Sequence, residues 1–401
     1  MEFSTSRPRS VDRNTNIGLV LDTIMAQRLA KGMFRHFHAN RRFWFLDLYR
    51  PVQELCEVIR ERQPAGLVTR YVAGITEELA KLGIPIVAYS SDLRHPAVRC
   101  IDVDNGAIGA LAARHFLDQG LRSFAYVGTN YPYSVQRFDG YAGALHRAGF
   151  GCAHFSEPMR YWEHYLEYWQ PQENKISRWL KSLPQPVGVF AAFDKIGWEV
   201  SDACRTAGLR VPEEVAVLGV NNDEFYCGLS HPPLSSIRIP WERVGAEAAL
   251  MLEQQMARPR SGVDSTRQTR KGVLLVPPEG VATRQSTDLI AVPVPAIARA
   301  LAYIRRHASE PINIKDVLKD IPLSRRNFEL EFQRHLGRTP KEELTRVRME
   351  QAKELLMHTD LQVTLVAERC GFNYAERFCV AFKRATGVTP MAFRRQFRLR
   401  A

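Results

Sequence analysis

A chain of 401 residues is longer than one hydrophobic core usually supports, so two or more domains are expected. With 45% hydrophobic and 24% charged residues it has the composition of a globular protein, not of a disordered one. Seven scattered cysteines without a Cys-x-x-Cys pair support neither a disulfide framework nor a zinc ribbon, and no run of 18 apolar residues marks a membrane span. The net charge of +12 is uneven: residues 297–401 hold 21 Lys and Arg against 12 Asp and Glu, the kind of excess that neutralises nucleic-acid phosphates and releases their counterions.

In chain order, residues 1–15 are polar and Arg-bearing and read as a flexible tail. The apolar run after them is too short for a signal-peptide core, so a cytoplasmic, nucleoid-associated protein is expected. From residue 16 to 285 short apolar runs alternate with amphipathic stretches. Strands are predicted at Asn16 to Asp22, Ala65 to Thr69, Pro85 to Ser90, Phe124 to Gly128, Gly188 to Phe193 and Val215 to Val220. Helices are predicted at Ala107 to Gly120, Val135 to Gly149, Lys195 to Gly208 and Trp241 to Met256. Continuous apolar strands between helices imply parallel sheets covered on both faces, an α/β fold long enough for two lobes. The segment "MFRHFHANRRFWFLDLYRP" (33–51) is expected to bury its Phe and Trp in the first lobe, and the His36 to His38 pair to be packed or solvated, not ligating. Residues 258–271 read as a surface loop, and a proline-rich stretch predicts a linker at 286–296. Everything after it, 297–401, reads as helix.

In open parallel sheets, ligands bind at the carboxyl ends of strands. Those ends carry Asp22, Asp194 and the run Asn221, Asn222, Asp223, while the loop after the fourth predicted strand leads to Arg137. Short carboxylates and amides with one guanidinium suit sugar hydroxyls, although each single Asp or Asn is equally at home as a turn former or helix cap. The stretch "AAFDKIGWEVSDACRTAGLRVPEEVAVLGVNNDEFYCGLSHPPLSSIRIP", with "IDVDNGAIGALAARHFLDQGLRSFAYVG" before it, resembles the LacI-type, periplasmic-binding-protein-like sugar sensors. The resemblance implies that Asn105, Arg137 and Asn221 contact sugar hydroxyls, with Asp194 beside the cleft; Asp22 is a ligand-binding candidate from its strand-end position alone. Asn221 stands where that family usually has Asp, and an amide both donates and accepts where a carboxylate only accepts.

The helical part contains a duplication. In the first copy Val317, Leu318, Ile321, Phe328 and Phe332 are predicted to pack two short helices; in the second Val366, Ala367, Phe372, Phe378 and Phe382 repeat the pattern around Gly371. Both copies close alike, with "LGRTP" and "TGVTP". The repeat resembles the AraC-type DNA-binding domain, with "RMEQAKELL" in the place of its connecting helix. A helix from Pro340 to Met357 is about 27 Å long at 1.5 Å per residue, which can hold two recognition helices near the ~34 Å spacing of successive major grooves. The resemblance implies DNA contacts from Ser324, Arg325, Arg326, Asn327 and Glu329 in the first copy, and from Asn373, Tyr374, Glu376, Arg377, Lys383 and Arg384 in the second. Of these, Lys383 and Arg384 face phosphate. Where that family often has Arg two residues after the Phe, this chain has Val380.

A LacI-like sensor followed by an AraC-type domain is similar in order to the xylose regulators. That resemblance implies a pentose effector, double-stranded operator DNA, a homodimer and RNA polymerase as a further candidate partner. No cofactor is expected: GxGxxG after the first strand, GxxxxGK[ST] and HExxH are all missing, so an enzyme is not indicated. The competing expectation is a constitutive or architectural DNA-binding protein whose sensor only dimerises.

Overall fold

The computed structural model describes residues 16–37, 42–89, 98–155, 175–257, 273–289, 292 and 294–397. The expected tail 1–15, the loop 258–271, His38 and linker positions 290, 291 and 293 lie outside the described residues. The chain divides into two units: residues up to Asp104 with Ile239–Pro278, and Asn105–Arg238 with Glu279 onward.

The first unit contains β1 (Asn16–Leu21), α1 (Thr23–Phe37), β2 (Arg42–Asp47), α2 (Val52–Arg62), β3 (Gly66–Arg70), α3 (Ile75–Ala80), β4 (Ile86–Tyr89) and β5 (Arg99–Val103). In the second unit follow α4 (Asn105–Asp118), β6 (Ser123–Val127), α5 (Pro132–Arg147), β7 (Ala153–His154), β8 (Val187–Ala191), α6 (Asp194–Ala207), β9 (Val215–Val220), α7 (Glu224–Leu229) and β10 (Ser235–Arg238). The chain then returns to the first unit for α8 (Trp241–Met256) and β11 (Leu274–Val276), and to the second for β12 (Gly280–Ala282).

Sheet order in the first unit is β11-β5-β4-β3-β1-β2, parallel throughout. Its inner strands are covered on both faces, which is why they read as unbroken apolar runs. The strand β2 sits at the edge and corrects one expectation. Trp44 and Leu46 turn toward the core and Phe43 packs on Phe34 (ring centroids 4.6 Å apart), but Phe34, Phe45 and Tyr49 are exposed. Successive strand residues face opposite ways, so an edge strand with one covered face buries only half its aromatics. His36 meets Glu253 at 3.0 Å, in keeping with a packed histidine.

The second sheet runs β12-β10-β9-β8-β6-β7, parallel except for β12. Strands β7, β10 and β12 are two to four residues long, too short to show a sequence period. On one face α4 and α5 cross at close range. A Cβ on Gly109 would fall on the carbonyl of Arg137, and one on Gly140 would fall on the backbone of Gly106. Glycine is therefore required at both positions for the two backbones to meet. Ser286 and Thr287 are fully buried, and Ser286 Oγ accepts from Ser235 N (2.8 Å) and donates to Val217 O (2.6 Å). The expected linker thus opens inside the packed sheet and leaves it only after Thr287.

The remainder of this unit is helical: α9 (Pro295–His307), α10 (Ile314–Leu318), α11 (Arg325–Leu336), α12 (Pro340–His358), α13 (Val363–Arg369), α14 (Ala375–Thr386) and α15 (Pro390–Phe397). The duplication yields two cores. One gathers Ile297, Leu301, Val317, Phe328, Phe332 and Leu344, the other Met349, Ala352, Leu356, Val366, Phe378 and Phe382. Helix α12 enters both, its first half closing one core and its second half the other. It starts at a reciprocal cap, Thr339 Oγ1 accepting from Glu342 N while Glu342 accepts from Thr339 N.

The close crossing makes a testable demand. Gly140→Val should lower Tm by about 5–10 °C, the scale of overpacking by ~2–3 kcal/mol in a domain of this size. Gly151→Ala, where nothing lies within 4 Å, should leave Tm unchanged in the same scanning fluorimetry.

Candidate functional site

Helix α4 begins at Asn105 and α5 carries Arg137, and the glycine crossing brings the two side chains together. Arg137 Nε donates to Asn105 Oδ1 (2.9 Å), and Arg137 Nη1 donates to the carbonyl of Ala192 at the end of β8. Asn105 Nδ2 in turn donates to Gln136 Oε1 (3.2 Å). The guanidinium is buried and lies over the ring of Tyr133, 5.2 Å from its centroid. Tyr133 stacks with Tyr131 (5.9 Å) and meets Phe193 edge-on (6.3 Å). Sequence reasoning missed this aromatic wall and Gln136. The signal for Tyr133 was its place four residues before Arg137 on one helix, where side chains meet.

Asp194 is also buried, and its carboxylate is committed to the fold. It accepts from Ser236 Oγ (2.5 Å) and from Asp223 N (2.7 Å), tying α6 to β10 and to the loop after β9. Asp223 caps α7 by accepting from Phe225 N and Tyr226 N. At Asn221 the backbone has φ 106°, and at Asn222 φ 52°, a region that non-glycine residues seldom occupy and that Asn tolerates best. Ser236 Oγ and Arg284 hold Asn222 in place. Asn105 and Arg137 are therefore in direct contact, while Asp194 and Asn221 share the other strand ends of the same sheet. Asp22 lies in the first unit at the end of β1, where it meets Arg70 at 3.2 Å.

The second candidate surface is on the helical part. Arg325, Arg326 and Asn327 are exposed at the start of α11; Asn373, Tyr374, Glu376 and Arg377 are exposed around the start of α14; and Lys383 and Arg384 are exposed later in α14. Six of the expected DNA contacts meet one another in three local pairs. Ser324 caps α11 by accepting from Asn327 N (3.3 Å), Arg325 meets Glu329 four residues on (2.9 Å), and Arg377 lies over the Tyr374 ring (5.3 Å). The two copies are bolted together by Arg348 of α12. It donates to the carbonyls of Ala308 (2.8 Å) and Glu310 (2.7 Å) beside the first copy and lies over Phe372 (5.4 Å) of the second.

Between these surfaces stands a buried ionic cluster. At the far end of α4 the Asp118 carboxylate faces Arg338 (2.9 Å) and Arg346 (3.1 Å), and its carbonyl accepts from Arg338 and Arg305. Glu343, fully buried, accepts from the same two guanidiniums. Burial pushes the Asp118 carboxyl up against the pull of Arg346 and Arg338. Burial acts on Glu343 in the same sense, but the bonds from Arg346 and Arg338 outweigh it and hold that carboxyl below its ordinary range. His115, one turn earlier, is pushed down to about 3 by burial and by Arg305 and Arg346, so its ring is neutral. Cations at the carbonyl end of a helix also complement its dipole. Arg238 of β10 and Glu354 of α12 form a second tie.

Comparison with known proteins finds relatives for both parts of the chain. Residues 113–287 match the periplasmic binding protein-like domain and residues 318–396 a helix-turn-helix domain. The xylose operon regulatory protein of Escherichia coli K12 is 26% identical over 386 residues, covering 92% of this chain and 93% of that protein. A solved structure of the xylose-binding transcription activator XylR aligns with a TM-score of 0.58 at 24% identity, over 97% of this chain and 100% of that one. A LacI family transcriptional regulator from Enterococcus faecium with bound ribose aligns at TM-score 0.53 and 21% identity, over 68% and 98%.

The ionic cluster sets two expectations. Asp118→Asn leaves two largely buried guanidiniums short of charge and should cost about 2–4 kcal/mol in chemical denaturation. Glu78→Gln, which breaks an exposed pair with Lys81, should cost nothing measurable. Because the Glu343 pKa is lowered, its stabilisation is fully present above the ordinary glutamate range and lost as pH falls through the lowered value. Glu343→Gln should therefore be less stable at neutral pH and lose less on acidification.

Proposed function

We propose, for a chain that is a sugar-sensing transcription regulator homologous to the xylose operon regulators, that its effector is a pentose held at Asn105 and Arg137. We further propose that the signal passes along α4 to the DNA-binding helices. The observation that carries this reading is one helix with two ends: Asn105 paired with Arg137 at its start, and Asp118 gripped by Arg338 and Arg346 at its finish. Its fourteen residues span about 21 Å.

Sugar recognition follows from the groups present. Nη2 of Arg137 offers donors to a ring hydroxyl, the Asn105 amide donates and accepts, and the Tyr133 and Phe193 rings suit the apolar C–H face. Asn221 adds a second amide from the end of β9, and Asp194 holds that loop in its strained shape. A sugar that competes for the Asn105–Arg137 bond changes the position of the start of α4. Such a ligand shifts DNA affinity only by its differential affinity for the DNA-competent arrangement, with ~5–150-fold a common range for such coupling.

On the DNA side, Arg326 and Asn327 in α11, Asn373 just before α14 and Arg377 within it are proposed as base readers, with Lys383 and Arg384 on phosphates. The regulator acts as a homodimer, places paired helix-turn-helix units on one face of the operator and recruits RNA polymerase as an activator.

The test has two arms. D-xylose, L-arabinose, D-ribose and D-glucose are compared by thermal shift. A pentose at about 100 times its Kd should stabilise the protein by ~2.7 kcal/mol, and Arg137→Ala should abolish that shift while keeping basal DNA affinity. No shift with any sugar would leave a constitutive DNA-binding protein. Arg326→Ala should relax base preference at one operator position, whereas an equal loss on all sequences would move Arg326 to the backbone.

A further inference from the structure

The two recognition helices repeat one another in the burial of their central positions as well as in sequence. Phe328 and Phe332 of α11 match Phe378 and Phe382 of α14; all four are fully buried. Two residues after the first Phe of each pair, on the face opposite the core, stand Leu330 and Val380, 59% and 71% exposed. Single exposed apolar residues are ordinary on a protein surface. The same register in both copies of a duplicated unit is not explained that way, because a solvated position on a recognition helix has no reason to be apolar twice.

The surroundings say what covers these side chains. Leu330 has the exposed Arg326 and Arg334 one helical turn to either side, Arg334 meeting Glu331 at 3.7 Å, and Val380 has the exposed Arg377, Lys383 and Arg384 around it with one acid, Glu376, a turn before, so cations outnumber acids among the exposed neighbours. A basic rim around an apolar centre fits a duplex, whose phosphates pair with the rim while the major groove meets the centre. Each base pair shows hydrogen-bonding groups there, and only thymine adds a methyl group. A branched aliphatic side chain offers no hydrogen bond, so a methyl group is the feature it can read.

We infer that Leu330 and Val380 are specificity residues that each read the C5-methyl group of a thymine in the major groove, one in each half of the operator element contacted by a protomer. The inference rests on the proposed operator binding and adds to it the base class at two positions.

The experiment uses the full chain with D-xylose present. Duplexes are selected from a random library, and each thymine of the consensus is then replaced singly by deoxyuridine, which removes the methyl group and nothing else. Burial of one methyl-sized group predicts about fourfold weaker binding on uracil at two positions roughly one helical turn apart. Val380→Ala should lose the uracil sensitivity at one position and Leu330→Ala at the other, both folding normally because the side chains are exposed. A consensus whose affinity is indifferent to uracil everywhere, or a sensitivity that both alanine variants retain, overturns the inference and leaves operator binding intact. Loss of transcription activation by Val380→Ala with an unchanged uracil profile also overturns it, assigning the residue to a protein partner. Selection of no consensus overturns the operator reading itself, and this inference with it.

Discussion

The Asp118 carboxylate, shared between Arg338 and Arg346 with Glu343 behind them, is the constraint on which the rest of the second unit depends. Buried ions are costly to desolvate, and a cluster of this kind is stable only when every charge has its partner in place. It therefore has a narrow range of acceptable geometries. Helix α4 cannot shift at its carboxyl end without disturbing the first turns of α12, and α12 carries both helix-turn-helix cores. An apolar contact of the same area would tolerate sliding; this one does not. His115 is neutral in its buried setting, so it adds no charge to the junction near neutral pH.

At the other end of α4 the bonding is of a different character. Arg137, Asn105, Gln136 and the carbonyl of Ala192 are linked by hydrogen bonds, each exchangeable for a bond to a hydroxyl at small net cost. An exchangeable network at the head and an inflexible one at the tail suit the helix to the transmitting role proposed for it. The glycine contacts at Gly109 and Gly140 keep α4 and α5 in register, which holds Arg137 of α5 against Asn105 at the start of α4.

Much of this was legible from residues alone. The apolar runs at 16–22 and 215–220 gave strands because both their faces are covered, and the Phe-x-x-x-Phe repeats gave two small cores because four-residue spacing puts both rings on one helix face. Asn105 and Arg137 were identifiable individually, but their contact was not, since it arises from two glycines 31 residues apart in sequence meeting at a helix crossing. Asp194 read as a site residue, and the fold shows its carboxylate holding Ser236 and Asp223, a role invisible without the sheet. The ionic cluster was hidden for the same reason: Asp118 lies 220 residues from Arg338, and each charge on its own resembles a solvated helix residue. The edge strand β2 misled because aromatic content alone does not say how many faces of a strand are covered.

The measurement that bears most directly on the account is operator affinity at fixed salt, with and without D-xylose, in the native chain and in Asp118→Asn. The account predicts that the native protein changes affinity severalfold on adding the sugar, while the variant binds sugar as before and its affinity for DNA no longer responds. An equal response in both proteins would show that the signal does not travel through the α4 junction, and would contradict the account.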